Sequence, residues 1–405
     1  MKVTILSQYF WPEENATSDL MSGIATGLVQ QGFEVTAIAG QPSYRDIETL
    51  PRVLEHEGVR VRRVPSTRFD KNRLPGRAIN MVTFTVSLFF SSLFMRRSDA
   101  VIAVTNPPFL ILVVRLLTSL RGMKSVLLIH DLYPEVAIAL GHLRKGSLTA
   151  RFWSAFNRWS YRGATRIIAL GECMAELLRQ QVPAELLERI VVIPNWANGD
   201  VIKPVPRENH PLIREWEVEG KFVVLYSGNI GRFHELETVT RAAEILAEKD
   251  SSILFQFIGD GGQLTWLKSE VGRLSLKNVA FQPFQSKERL PLSLTACDAG
   301  LVTLKKEATG CCVPSKLYGM LAAGRPVLGV LSRQSETAKT IERHGCGIVV
   351  QPGDAEGLAE GVIRLKSDPD LVNRLGEAAR HAYECHYTVE KVAEAYGTLL
   401  RSVDS

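Results

Sequence analysis

The chain has 405 residues, 45% of them hydrophobic and 22% charged, which is ordinary globular material and longer than one core usually supports, so two domains are expected. Its six cysteines (173, 297, 311, 312, 346 and 385) include no Cys-x-x-Cys, and no His pair stands at ligand spacing. Neither a disulfide framework nor a zinc site is indicated, and a reducing cytosol fits. Net charge is only +5, but residues 1–195 carry +7 against −2 for the rest, so the basic half comes first and no nucleic-acid partner is expected.

The amino terminus, MKVTILSQYF, breaks at once into FWPEEN, too short and too β-like for a signal peptide, so a protein kept in the cytoplasm is expected. Residues 3–7 read as a strand. The loop QYFWPEENATSDL then leads into a helix with Leu20, Ile24 and Leu28 at helical spacing, capped by Asn15, Thr17 or Ser18. Strands follow at 34–39 and 59–64. Between 60 and 77 stand seven basic residues (Arg60, Arg62, Arg63, Arg68, Lys71, Arg73, Arg77), with Asp70 the only acid. That run suits an anionic membrane surface or a phosphate-bearing partner; a solvated loop is the plainer alternative. Residues 79–95, INMVTFTVSLFFSSLFM, are seventeen without charge. A spanning helix wants about 20 apolar residues, and this one is dotted with Asn, Thr and Ser, so an interfacial helix or a buried crossover is expected. Further strands at 100–104, 125–129, 166–169 and 191–193 complete a βαβ rhythm.

Residues 194–211 hold four prolines and little periodicity, which reads as a hinge linker. The strand-helix rhythm restarts with 222–226, 253–258, 279–281, 299–302, 326–330 and 348–350. Each half is therefore an α/β doubly wound parallel sheet, and a cleft between the halves would hold substrate. The domains are expected at 1–200 and 201–385, with a C-terminal helix at 386–405 packing back on the first.

Chemistry is expected at carboxyl ends of strands. The strand at 125–129 runs directly into HDLYPEVA, which presents His130 and Asp131 for catalysis or sugar contact. SGNIGRFHELETV is a strand, a glycine turn and a helix, with Arg232 able to fork two phosphate oxygens. FQFIGDGGQLTWL ends a second strand in glycines. In VPSKLYGMLAAGRPV a Ser315-Lys316 pair opens a helix, where free N–H groups and the lysine together favour an anion without a metal. Gly-x-Gly-x-x-Gly is absent, which argues against a dinucleotide dehydrogenase. Asp368, Pro369 and Asp370 read as a helix cap rather than a metal site.

These motifs resemble glycosyltransferase family 4, the retaining group of GT-B fold, over nearly the whole chain. The likeness is carried by the PEENATS loop, HDLYPE, VVIPNW, YSGNIGR, FIGDG, CDAGLVTL, VPSKLYGMLAAGRPVLGV and GCGIVVQPGDAEGLAEGV. The wording VPSKLYG is similar to the bacterial O-antigen, capsule and colanic acid branch, including transferases of N-acetyl-L-fucosamine. The resemblance implies a nucleotide-sugar donor, bound mainly by the second domain, and transfer with retention. It implies a polyprenyl-diphosphate-linked saccharide acceptor, bound by the first domain at the inner face of the cell membrane. No metal or other cofactor is implied. Position by position, it puts His130 at the donor sugar with Asp131 beside it. Arg232, Lys316, Ser315 and Asn229 fall at the diphosphate, and Gly228, Gly259, Asp260, Gly261 and Phe284 at the nucleoside. Glu13, Ala16, Thr17 and Asn195 line the acceptor loop.

The sequence departs from the family at several points. Its Glu-x7-Glu pair falls at Cys311 and Gly319, the Arg and Lys of its phosphate turn at Asn229 and His234, and its first-loop Gly-Gly at Ala16 and Thr17. Front-face attack assisted by the leaving phosphate is the preferred route, although Asp131 and Glu135 are available as nucleophiles. A sugar-nucleotide-binding protein without catalysis and a UDP-sugar 2-epimerase of the same fold are the rival readings.

Overall fold

The computed structural model describes residues 1–42, 49–69, 74–95, 97–207 and 210–404. Lys71 and Arg73 of the basic run, and Asp70, lie outside the described residues. The chain forms two units. One comprises Met1–Asn195, Gly310–Val313 and Val389–Ser405, the other Trp196–Thr309 and Pro314–Thr388.

The first unit is built on an eight-stranded sheet. Its strands are β1 (Lys2–Leu6), β2 (Glu34–Gly40), β3 (Val53–His56), β4 (Val59–Val64), β5 (Ala100–Val104), β6 (Lys124–Ile129), β7 (Arg166–Ala169) and β8 (Ile190–Val192), in the order β3-β4-β2-β1-β5-β6-β7-β8. All neighbours are parallel except β3 and β4. Helices on both faces bury such a sheet, so its strands read as continuous apolar runs; β5 (AVIAV) is buried throughout. The order reverses between β1 and β5, which opens a crevice at their carboxyl ends.

β3 escapes the sequence reading. It is joined to β4 by a two-residue loop, Glu57-Gly58, with φ of 47° and 77°. Positive φ at both positions is the I′ turn that closes a tight hairpin, normally announced by Asn-Gly or Asp-Gly. Glu-Gly lacks that signal. β4 also corrects the basic run: Arg63 is 3% exposed and points inward with Val61. Its guanidinium donates to the carbonyls of Gly40, Phe10 and Trp11, so it braces the loop after β1 instead of facing a partner.

The helix Leu74–Leu93 crosses from β4 to β5. Asn80, Phe84, Leu88 and Ser92 form its buried stripe, and Asn80 bonds the backbone of Phe69 both ways. Its opposite stripe is also apolar. Among the described residues no helix is long and apolar enough to cross a membrane. The helix Val389–Asp404 packs on Ala16–Gln30 at backbone distance. A Cβ on Gly27 would lie 2.4 Å from Ala393 Cβ, and one on Gly397 2.0 Å from Gln31 Oε1.

The second unit has six parallel strands: β9 (Phe222–Ser227), β10 (Ile253–Ile258), β11 (Val279–Gln282), β12 (Ala299–Thr303), β13 (Val327–Val330) and β14 (Gly347–Val350), ordered β11-β10-β9-β12-β13-β14. Tyr226, Phe255, Phe257, Leu301 and Leu328 anchor its core. Because β9 lies between β10 and β12, the turns that leave these three strands meet at one edge. Asp368 accepts from Leu371 N at 2.9 Å, which makes it the cap of the helix Pro369–His386.

Candidate functional site

The edge of the second unit is built from glycine turns. Gly228 (φ 115°) follows β9, and Gly259 (φ 127°) and Gly261 (φ 155°) follow β10. These turns interlock. A Cβ on Gly259 would lie 2.1 Å from the Gly228 carbonyl oxygen, and one on Gly261 2.5 Å from that of Ile230. Ile230 N donates to Asp260 O at 2.8 Å, and Asp260 Oδ1 accepts from Gly261 N at 2.7 Å. Only glycine permits both the backbone angles and the approach.

Lys316 enters this edge from the turn after β12. Its ammonium donates to Asn229 O at 3.0 Å, stands 3.4 Å from His234 Nε2, and lies 5.0 Å above the Tyr226 ring. Tyr226 Oη donates to the same Asn229 carbonyl at 2.7 Å. His234 does not add a second cation. Burial first, and then the Lys316 charge, push its pKa down to about 3, so the ring is neutral. Its Nδ1 faces the Thr303 carbonyl at 2.8 Å and so carries the proton, which leaves Nε2 as an acceptor towards Lys316. Gln263 Nε2 ties Gly231 O (2.6 Å) to His234 O (3.0 Å). Sequence reasoning set His234 where the family places a phosphate-turn lysine, but it passed over Tyr226 and Gln263, because what matters is where they are buried, not their spacing.

Arg232 is exposed and lies against Gly262, whose Cβ would meet its Cγ and Nε at 3.4 Å. The helix start is less free than its sequence suggests. Lys316–Ala322 is only seven residues long, Ser315 makes no side-chain cap, and the N–H groups of Leu317 and Tyr318 already donate to Pro314 O and Ser315 O at 3.3 and 3.2 Å. The positive charge here is that of the Lys316 side chain. Phe284 is 39% exposed beyond β11, at the same edge of the sheet.

The edge of the first unit gathers residues from distant segments. Thr105, just after β5, accepts at Oγ1 from His130 N (3.0 Å) and donates to Asp131 O (3.2 Å). The segment Gly310–Val313 joins from far along the chain: Leu132 N donates to Cys311 O at 2.8 Å, and Asp131 and Cys312 form an antiparallel bridge. Part of His130 reaches solvent, but its Nε2 is buried and has no hydrogen-bond partner among the described residues. Burial lowers its pKa to about 4, so it is a neutral imidazole at physiological pH. Burial raises Asp131 to about 6, against the opposing pull of Arg77. Glu135 is raised as well, mainly by burial, and burial with the charges of Glu135 and Asp131 lifts the Cys311 thiol to about 12.

In the loop after β1, Asn15 caps the helix Ala16–Gln30 by accepting from Ser18 N at 2.9 Å. Ala16 is exposed and Thr17 half-buried at its first turn. Glu13, expected at the acceptor, is instead fully buried, where its charge supports Arg63; burial still pulls that guanidinium down to about 10. Asn195, just past β8, is also buried. Among the described residues no group of three or more His, Cys, Asp or Glu could hold a metal ion.

Two family descriptions match the chain, "Glycosyl transferase 4-like domain" over residues 19–196 and "Glycosyl transferases group 1" over 212–382. The probable glycosyltransferase WbjE of Pseudomonas aeruginosa is 33% identical over 341 residues, 82% of each chain. The putative colanic acid biosynthesis glycosyl transferase WcaI of Escherichia coli K12 is 28% identical over 376 residues, 89% of this chain and 91% of its own. In fold, the Anabaena protein HepE in complex with UDP and glucose superposes with a TM-score of 0.76 at 17% identity, covering 99% of this chain and all of that one. Two parallel-sheet units with these matches make the chain a glycosyltransferase of GT-B fold, and it belongs to glycosyltransferase family 4.

Proposed function

We propose that the chain transfers a sugar, with retention, from a UDP-sugar to a polyprenyl-diphosphate-linked saccharide in bacterial surface polysaccharide synthesis, at the inner face of the cell membrane. The observation that carries this reading is the Lys316 ammonium, held by Asn229 O and a neutral His234 over interlocked glycine turns. A departing nucleoside diphosphate builds negative charge, and a cation fixed beforehand stabilises that charge without rearranging. The exposed Arg232 serves the same diphosphate. Gly228, Gly259, Asp260, Gly261 and Phe284 border the nucleoside. The UDP in the HepE complex and the colanic acid assignment in the name of WcaI support this choice of donor class and pathway type.

His130 acts on the donor sugar as a neutral hydrogen-bonding group, since its pKa of about 4 leaves the imidazole uncharged at physiological pH. Attack from the face the diphosphate leaves remains the favoured route, with Asp131 close to its own titration point and able to hold a proton near His130. One observation favours a second reading. With Cys311 and Gly319 where the family places its two glutamates, a protein that binds the donor and transfers nothing is the alternative.

A donor screen separates the two. UDP- and GDP-sugars, UDP-N-acetyl-L-fucosamine foremost, are incubated with polyprenyl-diphosphate-linked saccharide, and nucleotide release and the anomeric configuration of the product are read. The expected result is UDP release matched by a product of retained configuration. Donor binding without product would establish the second reading, and an inverted product would overturn the route.

A further inference from the structure

We propose that the outward face shared by the helices Leu74–Leu93, Leu110–Arg121 and Leu148–Arg162 of the first unit lies on an anionic phospholipid bilayer. The proposal deepens the functional reading, because a lipid-linked acceptor brings the chain to a membrane, but it stands on the composition of this face.

A helix that covers a sheet normally turns a polar stripe to water. In Leu74–Leu93 the buried stripe runs through Phe84 and Leu88, and the opposite stripe holds Val82 (53% exposed), Val86 (49%) and Phe90 (58%). Leu110–Arg121 turns Leu120 (69%) outward, and Leu148–Arg162 does the same with Phe152 (76%) and Trp159 (42%). The three helices are laterally joined. Arg121 Nη1 donates to Ser92 O at 2.9 Å, the Arg115 guanidinium lies 5.3 Å from the Trp159 ring, and Phe109 stacks on Trp153 at 5.2 Å. Three neighbouring outward apolar stripes exceed the scattered apolar residues that any protein surface shows.

Charge chooses the occupant. The three helices contain six arginines (Arg77, Arg115, Arg121, Arg151, Arg158 and Arg162) and no Asp or Glu. A second copy of the chain meeting this face symmetrically would set arginines against arginines, which disfavours self-association. An anionic leaflet offers acyl chains to the apolar stripes and phosphates to the arginines, whose stems bury while their heads stay wet. Trp159 is suited to the same boundary, with an apolar ring and a polar edge. The cationic determinants are these helical arginines, among them Arg77 of the run at 60–77; Arg63 of that run is withdrawn into the fold.

The test is co-sedimentation of the full chain with vesicles of equal parts phosphatidylglycerol and phosphatidylcholine, or of phosphatidylcholine alone, with UDP binding followed by calorimetry in parallel. Wild type should bind the anionic vesicles, and binding should fall about tenfold or more on neutral vesicles or in high salt. Two variants should each bind about tenfold more weakly with UDP affinity unchanged: Val86→Ser/Phe90→Ser/Phe152→Ser, and Arg151→Glu/Arg158→Glu. All of the altered residues are exposed, so the fold is not at stake. Equal partitioning of either variant and wild type would overturn the proposal, and so would no vesicle binding by a wild type that binds UDP. A dimer dissolved by the first variant, with no vesicle binding, would give the face to a second copy. Vesicle binding by a chain that fails to bind UDP would support this surface and fell the donor assignment.

Discussion

The candidate edges of the two units are made in opposite ways. In the second unit, three turns leave adjacent strands and bring the Lys316 cation to a frame of backbone carbonyls and N–H groups, where the neighbouring His234 is held neutral. Among the described residues of the first unit there is no such frame. His130, Asp131 and Glu135 lie at the end of β6 and are displaced from their ordinary protonation by burial. One surface is suited to holding an anion and the other to placing hydrogen bonds and protons, the two tasks that the proposed transfer from a diphosphate requires.

Single alanines should sharpen that contrast most. Lys316→Ala removes a charge-assisted contact worth about 2 to 3 kcal/mol, so kcat/KM and UDP affinity should fall together by about a hundredfold. His130→Ala should lower kcat by about ten- to a hundredfold and leave UDP affinity as it is, because the imidazole is assigned to the reacting sugar and not to the nucleotide. Calorimetry beside initial rates reads both. Parallel losses of rate and affinity in the two variants would erase the distinction between the edges.

The same contrast explains what could be read from the sequence. Gly228, Gly259 and Gly261 announce themselves, since a glycine turn after a buried strand is local information and parallel order sets neighbouring turns side by side. The apolar strands were legible for the same reason, whereas β3 was not, its alternating VLEH segment and Glu-Gly turn being weak signals. The first unit's edge is tertiary information. Nothing near residue 130 reveals that Thr105 bonds the His130 amide or that Cys311 arrives beside Leu132. Arg63 misled because a strand hides alternate residues, and an arginine hidden beside three carbonyls has the same letter as a solvated one.

A second comparison tests how rigid the anion edge is. Gly259→Ala would force a Cβ to 2.1 Å from the Gly228 carbonyl at φ 127°, whereas Gly345→Ala, at φ 57°, meets nothing within 4 Å. The first should cost about 3 kcal/mol in chemical denaturation and weaken UDP binding; the second should cost about 1 kcal/mol and leave binding intact. Equal costs would mean that the interlocked turns yield easily, and pre-organisation of the nucleotide edge would have to be abandoned.

The last test concerns Asp131, where stability and chemistry pull apart. Its pKa is about 6 when folded, raised by burial with Arg77 opposing, against an ordinary 3.8. Between about pH 4 and 6 the folded chain therefore keeps a proton that the unfolded chain has released, so this residue's contribution to stability falls as pH rises through that window. Asp131→Asn cannot titrate. It should be more stable than wild type at pH 7 by on the order of 2 kcal/mol, with the gap closing below about pH 4. His130 titrates alike in both proteins, so its own contribution cancels in the difference. Activity should move the other way: wild-type rates rise through about pH 6 as the carboxylate ionises, and the Asn variant stays low and flat across the same range. Thermal melts and rate profiles across pH 4 to 8 measure both. A variant no more stable than wild type at pH 7 would place the Asp131 carboxylate in water, and a variant that kept the wild-type rate profile would remove it from the reaction.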